Sequence, residues 1–395
     1  MGNTSKLRSV LLIGVIIATF TGRNIQENTV NSIAVVSGIG VDKSEGKYIV
    51  TLQLYNPAAN RKDASDEVAA YTYKQEGETV QEAIQNMYKI TSRRMFLQSA
   101  QIVVFSERLA RDGLSDVLNY LIREPNVYSD IKFMICKDIS PYDLFRIFTP
   151  VSKVSSSRFK EVLERGMRHM GYRGFATLED AKEILTARTT QLTVPYISVV
   201  GNPKEGFKKT NIEQSTPRVL ISLEGVTVFR GDRLYRMLSF EESIMYRIVQ
   251  GQLNRASVTT GCPHSKGRVS WKLSSTKSVI SVISERRPYT FRLGVQAKAN
   301  IYDITCKGNL ADPIYIKKLE KKSSKDLQVK LQDLIRKSQT YNTDFIGFSD
   351  AMYHQNPSLW RRTSKQWSRL YPDAKIEGKF EIKLINTGDI IRIVK

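Results

Sequence analysis

Apolar residues between Ile33 and Tyr55 fall in two β-type runs, Ile33 to Val41 and Lys47 to Tyr55, parted by the turn-forming DKSEG. In the second run Tyr48, Val50, Leu52 and Leu54 alternate with Ile49, Thr51, Gln53 and Tyr55. That period of two puts alternate side chains on one face, so the pair predicts a hairpin. Thr79-Val80-Gln81-Glu82 is a capping box, after which Val80, Ala83, Ile84 and Met87 share one helical face. Gln101 to Phe105 predicts a short buried strand, Leu114, Val117, Leu118 and Leu121 a helix, and Ile131 to Cys136 another strand. The first 150 residues therefore read as an α/β unit.

Ser140-Pro141 opens a helix, since proline loses no needed hydrogen bond at the first helical position and Ser can cap it. From there to about residue 200 the pattern reads as helical, with Leu178, Ala181, Ile184 and Leu185 on one side of a segment starting at Thr177. Gly201 to Pro217 is a polar loop. Two strands are predicted around Arg230-Gly231-Asp232-Arg233, read as a hairpin turn rather than an adhesion motif, then a helix from Phe240 or Glu241. Ser270 to Ile304 supplies alternating strand-like runs. Asp312-Pro313 then caps a long helix carrying Ile316, Leu319, Leu327, Leu331, Leu334 and Ile335 at helical spacing. Asn356-Pro357 starts another, whose Trp360 and Trp367, with Leu370, read as core against a sheet. Ile376, Phe380, Ile382 and Leu384 mark a closing strand with one buried face.

Composition, 41% hydrophobic and 25% charged over 395 residues, fits a folded protein of two or three domains. Lys and Arg number 60 against 39 Asp and Glu, a formal charge of +21 that favours an anionic environment. The charge is spread thinly, and Lys317 to Lys325, with Glu320 interposed, reads as a solvated helix face. Cys136, Cys262 and Cys306 match no zinc or thioredoxin spacing, and the expectation is that they form no disulfide framework. His169, His264 and His354 lie in separate segments without metal-ligand spacing. Gly38-Ile39-Gly40 fails as a dinucleotide loop, because the third glycine would fall at Lys43 and a strand follows. Glu241-Glu242 reads as acids favouring a helix dipole. With no P-loop, G-x-S-x-G or H-E-x-x-H, the sequence predicts no enzyme, cofactor or metal.

The N-terminus adds an address. Lys6 and Arg8 precede the uncharged run Val10 to Phe20, the layout of a secretory signal or short anchor. Eleven helical residues span roughly 16 Å, about half a hydrocarbon core, so an ordinary transmembrane helix is disfavoured.

Four blocks carry a resemblance. NSIAVVSGIGVDKSEGKYIVTLQLYNP, KITSRRMFLQSAQIVVFSERLARDG, LEGVTVFRGDRLYRMLSFEES and DFIGFSDAMYHQNPSLWRRTSKQWSRLYP occur in this order over nearly everything after the signal segment. The chain resembles the Ger(x)C family of spore germination proteins, the C subunits of nutrient germinant receptors. The resemblance implies an α/β (α+β) protein of three domains, each a mixed sheet with flanking helices, over 24–145, 146–262 and 263–395 after a signal or anchor segment 1–22. It implies a non-catalytic role at the outer face of the spore inner membrane beside A-type and B-type membrane subunits, with no nucleic acid. It marks Gly38, Gly40, Asp42, Arg93, Arg94, Phe348, Asp350, Pro357, Trp360 and Trp367 as signature positions. Such proteins end the signal in a Gly-Cys lipobox, whereas here Thr21-Gly22 is followed by Arg23, which has no thiol to acylate. Two readings follow: an altered copy without its lipid, or an uncleaved Val10–Phe20 run serving as anchor. The charge alone also admits an exported binding protein for an anionic polymer or membrane surface, whose affinity would fall steeply with salt.

Overall fold

Val103, Val104 and Phe105, like Phe133, Met134 and Ile135, are buried at successive positions because the sheet they belong to is covered on both faces. The computed structural model describes residues 33–60, 67–169, 176–187, 191–251 and 256–386, so the signal-like segment and Arg23 lie outside the described residues. In chain order the first sheet contains β1 (Ile33–Ser44), β2 (Lys47–Tyr55), β3 (Ala70–Gly77), β4 (Arg94–Phe96), β5 (Ile102–Ser106), β6 (Lys132–Cys136), β7 (Thr193–Val200), β8 (Leu220–Arg230) and β9 (Arg233–Leu238). The order is β3-β2-β1-β5-β6-β7-β8-β9, with β4 paired to the start of β1. The middle of the sheet, β1-β5-β6-β7, is parallel, and both flanks are antiparallel.

The helices are α1 (Val80–Met87), α2 (Glu107–Asp112), α3 (Ser115–Arg123), α4 (Pro141–Arg146), α5 (Ser155–His169), α6 (Leu178–Ala187) and α7 (Phe240–Val249). One face packs apolar residues of α1, α2, α3 and α6, the other those of α4, α5 and α7. Of the capping box expected at α1, the Thr79 half forms, with the Glu82 amide donating to Thr79 Oγ1, while the Glu82 carboxylate accepts from the Glu78 amide instead of that of Thr79. A complete box, Ser239 with Glu242, opens α7.

The mixed α/β class is as the sequence predicts, but two local expectations are corrected. Thr193 to Val200 lies in the stretch read as helical and is a strand, paired along its whole length with β8. Its pairing to β6 begins only after Pro195, at Tyr196 and Ile197, as a residue without an amide donor favours. By this strand the sheet begun in the first 150 residues continues without a break through β9.

The second sheet, β10 (Ser257–Gly261), β11 (Arg268–Ser284), β12 (Thr290–Ile304) and β13 (Lys375–Asn386), lies against α8 (Pro313–Thr340), α9 (Phe348–Gln355), α10 (Pro357–Thr363) and the turn-length α11 (Trp367–Leu370). Here the second correction falls: Cys262 and Cys306 are disulfide-bonded, Cα atoms 5.5 Å apart across a sequence separation of 44. Cys262 follows β10 and Cys306 follows β12, and the two strands flank β11, a neighbourhood that spacing along the chain cannot reveal. Cys136 is free and buried.

Helix α8 also blocks the sheet's outer edge. Glu320, Ser324 and Gln332, four and eight residues apart on one helix side, accept from the backbone amides of Leu384, Ile382 and Gly378 on β13. On the far side, Gln355 accepts from the Val282 amide and donates to the Ile280 carbonyl, covering β11 where β10 ends. The core on the α4, α5 and α7 face of the first sheet runs unbroken into that of the second. Among the described residues no helix is long and apolar enough to cross a membrane.

Candidate functional site

Parallel strands present their carboxyl ends together, and open α/β sheets offer crevices there. At the ends of β1, β5 and β6 a hollow of about 610 Å³ is lined by Asp42, Ser106, Arg108, Arg111, Cys136 and Asp138, among others. Asp42, nearly buried as the last inward residue of β1, organises it. Its Oδ1 accepts from Ser106 Oγ at 2.5 Å, from Arg108 Nε at 3.2 Å and from the Lys43 amide at 2.8 Å. Arg108 Nη2 lies 2.7 Å from Oδ2. Ser106 in turn caps α2 by accepting from the Leu109 amide. Arg111 pairs with Glu107 one turn away at 2.6 Å.

The thiol of Cys136 points into the strand ends and donates to the Ile139 carbonyl at 3.1 Å. Burial, with Asp42 nearby, pushes it well above the ordinary thiol range. At neutral pH it is a protonated, inert group rather than a nucleophile. Beside the hollow Tyr48 donates to Asp116 at 2.8 Å, and burial together with that carboxylate raises its phenol to about 12.

Gly38 and Gly40 are required for packing. A Cβ at Gly40 would stand 2.6 Å from Pro141 Cβ, and one at Gly38 would stand 2.6 Å from Ser156 Cβ, so α4 and the start of α5 could not lie directly on β1. Gln53, buried on β2, fixes the same joint by donating to the Phe145 carbonyl and accepting from the Ser156 amide.

The remaining signature positions fall in two other places. Phe348, Asp350, Pro357, Trp360 and Trp367 gather at the C-terminal end of α8. Phe348 and Trp367 are buried in edge-on contact with Phe291, and Trp360 packs edge-on against Trp367. Pro357 is the first residue of α10, capped by Asn356, and Asp350 faces His354 at 3.5 Å. What holds this cluster is a residue the sequence reading missed. Asp344, buried, accepts from the amides of Gly347, Phe348 and Ser349, the Ser349 hydroxyl and Trp367 Nε1. An Asp ahead of Gly-Phe-Ser at a helix start was the available signal. Arg93 and Arg94 sit apart from both clusters, exposed at the start of β1.

Between α7 and α8 a further hollow of about 460 Å³ has Met245 and Leu334 at its floor and is bridged by Lys337 to Glu242 and Lys330 to Glu241. Burial alone would raise Glu242, but Lys337 and the Ser239 amide outweigh it and hold the carboxyl below its usual value. Among the described residues no group of His, Cys, Asp or Glu is arranged to hold a metal ion.

Residues 26–199 match the family model described as the spore germination protein N-terminal domain, and 224–388 match spore germination B3/GerAC-like, C-terminal. Spore germination protein KC of Bacillus subtilis is 24% identical over 366 residues, 90% of each chain. Spore germination protein GerQC of Bacillus cereus is 20% identical over 325 residues, 80% of this chain and 82% of the other. The crystal structure of the GerBC protein superposes with a TM-score of 0.57 at 15% identity, covering 88% of this chain and 97% of that one.

Proposed function

The chain belongs to the Ger(x)C family of spore germination proteins, and from that premise we propose that it is a non-catalytic subunit of a nutrient germinant receptor. It acts beside A-type and B-type membrane subunits at the outer face of the spore inner membrane, and of the segments 24–145, 146–262 and 263–395 the first two work together on the shared first sheet and the third on the second. The observation that carries the reading is the two family matches in order along 26–199 and 224–388, over one continuous core. The chemistry of the mouth supports a binding or coupling role. Asp42 is engaged by Ser106 and Arg108, and Cys136 keeps its proton, so these groups already serve one another. A basic chain also suits an anionic headgroup surface.

Deleting this protein together with any paralogue is the test. Spores are expected to lose nutrient-triggered germination, and the A-type and B-type subunits are expected to co-purify with the intact protein from spore membranes. Normal nutrient germination in the deletion strain would sink the proposal.

A further inference from the structure

The end of the first sheet away from the Asp42 mouth has its own composition. Ala34 and Asp42 are separated by eight strand residues, about 26 Å along β1. A groove of about 260 Å³ at the Ala34 end is lined by Tyr55, Asn56, Tyr71, Tyr73, Ile90 and Arg93, among others. Two of its lining side chains stand half out of the protein, Tyr71 at 47% and Ile90 at 49% exposure, and Tyr88 and Phe96, nearby along the chain, are 50% and 40% exposed. Lys89, Arg93 and Arg94 are interleaved with them along the chain and exposed, and none makes an ion pair with another described residue. Glu67 is tied to the groove through a 3.0 Å hydrogen bond from Asn56 and offsets one of the three charges.

Half-exposed Tyr and aliphatic residues mixed with exposed Lys and Arg are the side chains that suit a membrane–water interface, where rings sit among headgroups and cations meet lipid phosphates. The chain supplies a second argument. Ile33 to Val35 pair with Arg94 to Phe96, so the segment before residue 33 joins the molecule at this end. The apolar run finishes at Phe20, and at no more than about 3.6 Å per residue the link from there to Ile33 reaches at most about 47 Å. A bilayer holding that run is therefore within reach of this face.

We infer that the β1-start face, centred on Tyr71, Ile90, Lys89, Arg93 and Arg94, rests on an anionic phospholipid surface, which turns the Asp42 mouth away from the membrane. The inference rests on the receptor reading for the presence of that membrane. It accounts for two signature positions, Arg93 and Arg94, that neither cluster of the site absorbs.

The test uses the full chain on vesicles of phosphatidylcholine, with and without phosphatidylglycerol, and a photo-crosslinking phenylalanine placed at position 90 or at position 138 in the mouth. Position 90 is expected to label lipid and position 138 not. Lys89→Gln with Arg93→Gln and Arg94→Gln, all on exposed side chains, is expected to weaken partition into phosphatidylglycerol vesicles on the order of a hundredfold at low salt. Partition into phosphatidylcholine, carried by the apolar run, is expected to stay unchanged. Equal labelling at both positions, an unchanged preference for the anionic lipid in the triple variant, or adducts at position 90 with a second protein chain would each overturn the inference. The receptor reading fails separately: vesicle results as expected, with germination intact in the deletion strain, would leave this face a membrane surface and remove only its receptor.

Discussion

Asp42 and Asp344 are both buried carboxylates at signature blocks, and they are satisfied in opposite ways. Asp42 looks into an open hollow and is met by a half-exposed arginine and a serine hydroxyl. Asp344 meets no cation among the described residues: three backbone amides and a hydroxyl from the next few residues, and an indole N–H 23 residues on, converge on it inside a closed aromatic core. The Arg108 side chain is 58% exposed, so this pair can be reached from solvent. The donors of Asp344 are mostly main chain and have nowhere to go. The first arrangement suits a surface that exchanges contacts, the second a joint that must not.

The largest expected effect lies at Asp344. Asp344→Ala strands several buried donors at once and is expected to cost about 3–4 kcal/mol in denaturant unfolding. Next comes the disulfide, which closes the same C-terminal unit. Cys262→Ser with Cys306→Ser is expected to cost about 2–4 kcal/mol through the freed loop. If the serine pair costs nothing while Asp344→Ala costs its full amount, the rigidity belongs to the carboxylate alone. Asp42→Asn keeps shape and most hydrogen bonds, and Arg108 is largely solvated, so about 1 kcal/mol is expected. An Asp42→Asn penalty as large as that of Asp344→Ala would erase the contrast drawn between them.

How far the sequence disclosed this can be followed residue by residue. The β1–β2 hairpin, the Thr79 cap of α1 and the stripe of α8 were legible because each is written in residues within one or two turns of each other. The strand Thr193–Val200 was not, since its apolar residues follow a helical stretch, contain Pro195, and find their meaning only in pairing with β6 and β8. The disulfide and the Asp42–Arg108 pair join residues 44 and 66 apart, and composition carries no trace of either. Asp344 lies between these cases. Its amide partners are three to five residues on and readable in principle, whereas its bond to Trp367 needed the fold. Gly38 and Gly40 were noticed as signature positions, and their reason, the close approach of Pro141 and Ser156, came only from packing.

The smallest effect concerns the ion pair between the two sheets' helices, and it decides whether their joint is electrostatic or apolar. Glu242 has a lowered pKa in the fold, so its contribution is present above its unfolded value of about 4.5 and is lost as pH falls through the lower, folded one. Lys337 is raised by the same partner, so its share is present below about 10.5 and is lost as pH rises through its raised value. Glu242→Gln preserves an acceptor for the Ser239 amide and so keeps the capping box while removing the charge. Because Lys337 is 46% exposed, the change is expected to cost no more than about 0.5 kcal/mol at pH 7, less in high salt, and nothing at a pH where Glu242 is already protonated. A penalty of several kcal/mol that vanishes in acid would mean that Lys337 and Glu242 latch the two sheets together. A small one leaves that task to the apolar continuity of Met245, Leu334, Tyr246 and Phe345, which no pH change can release.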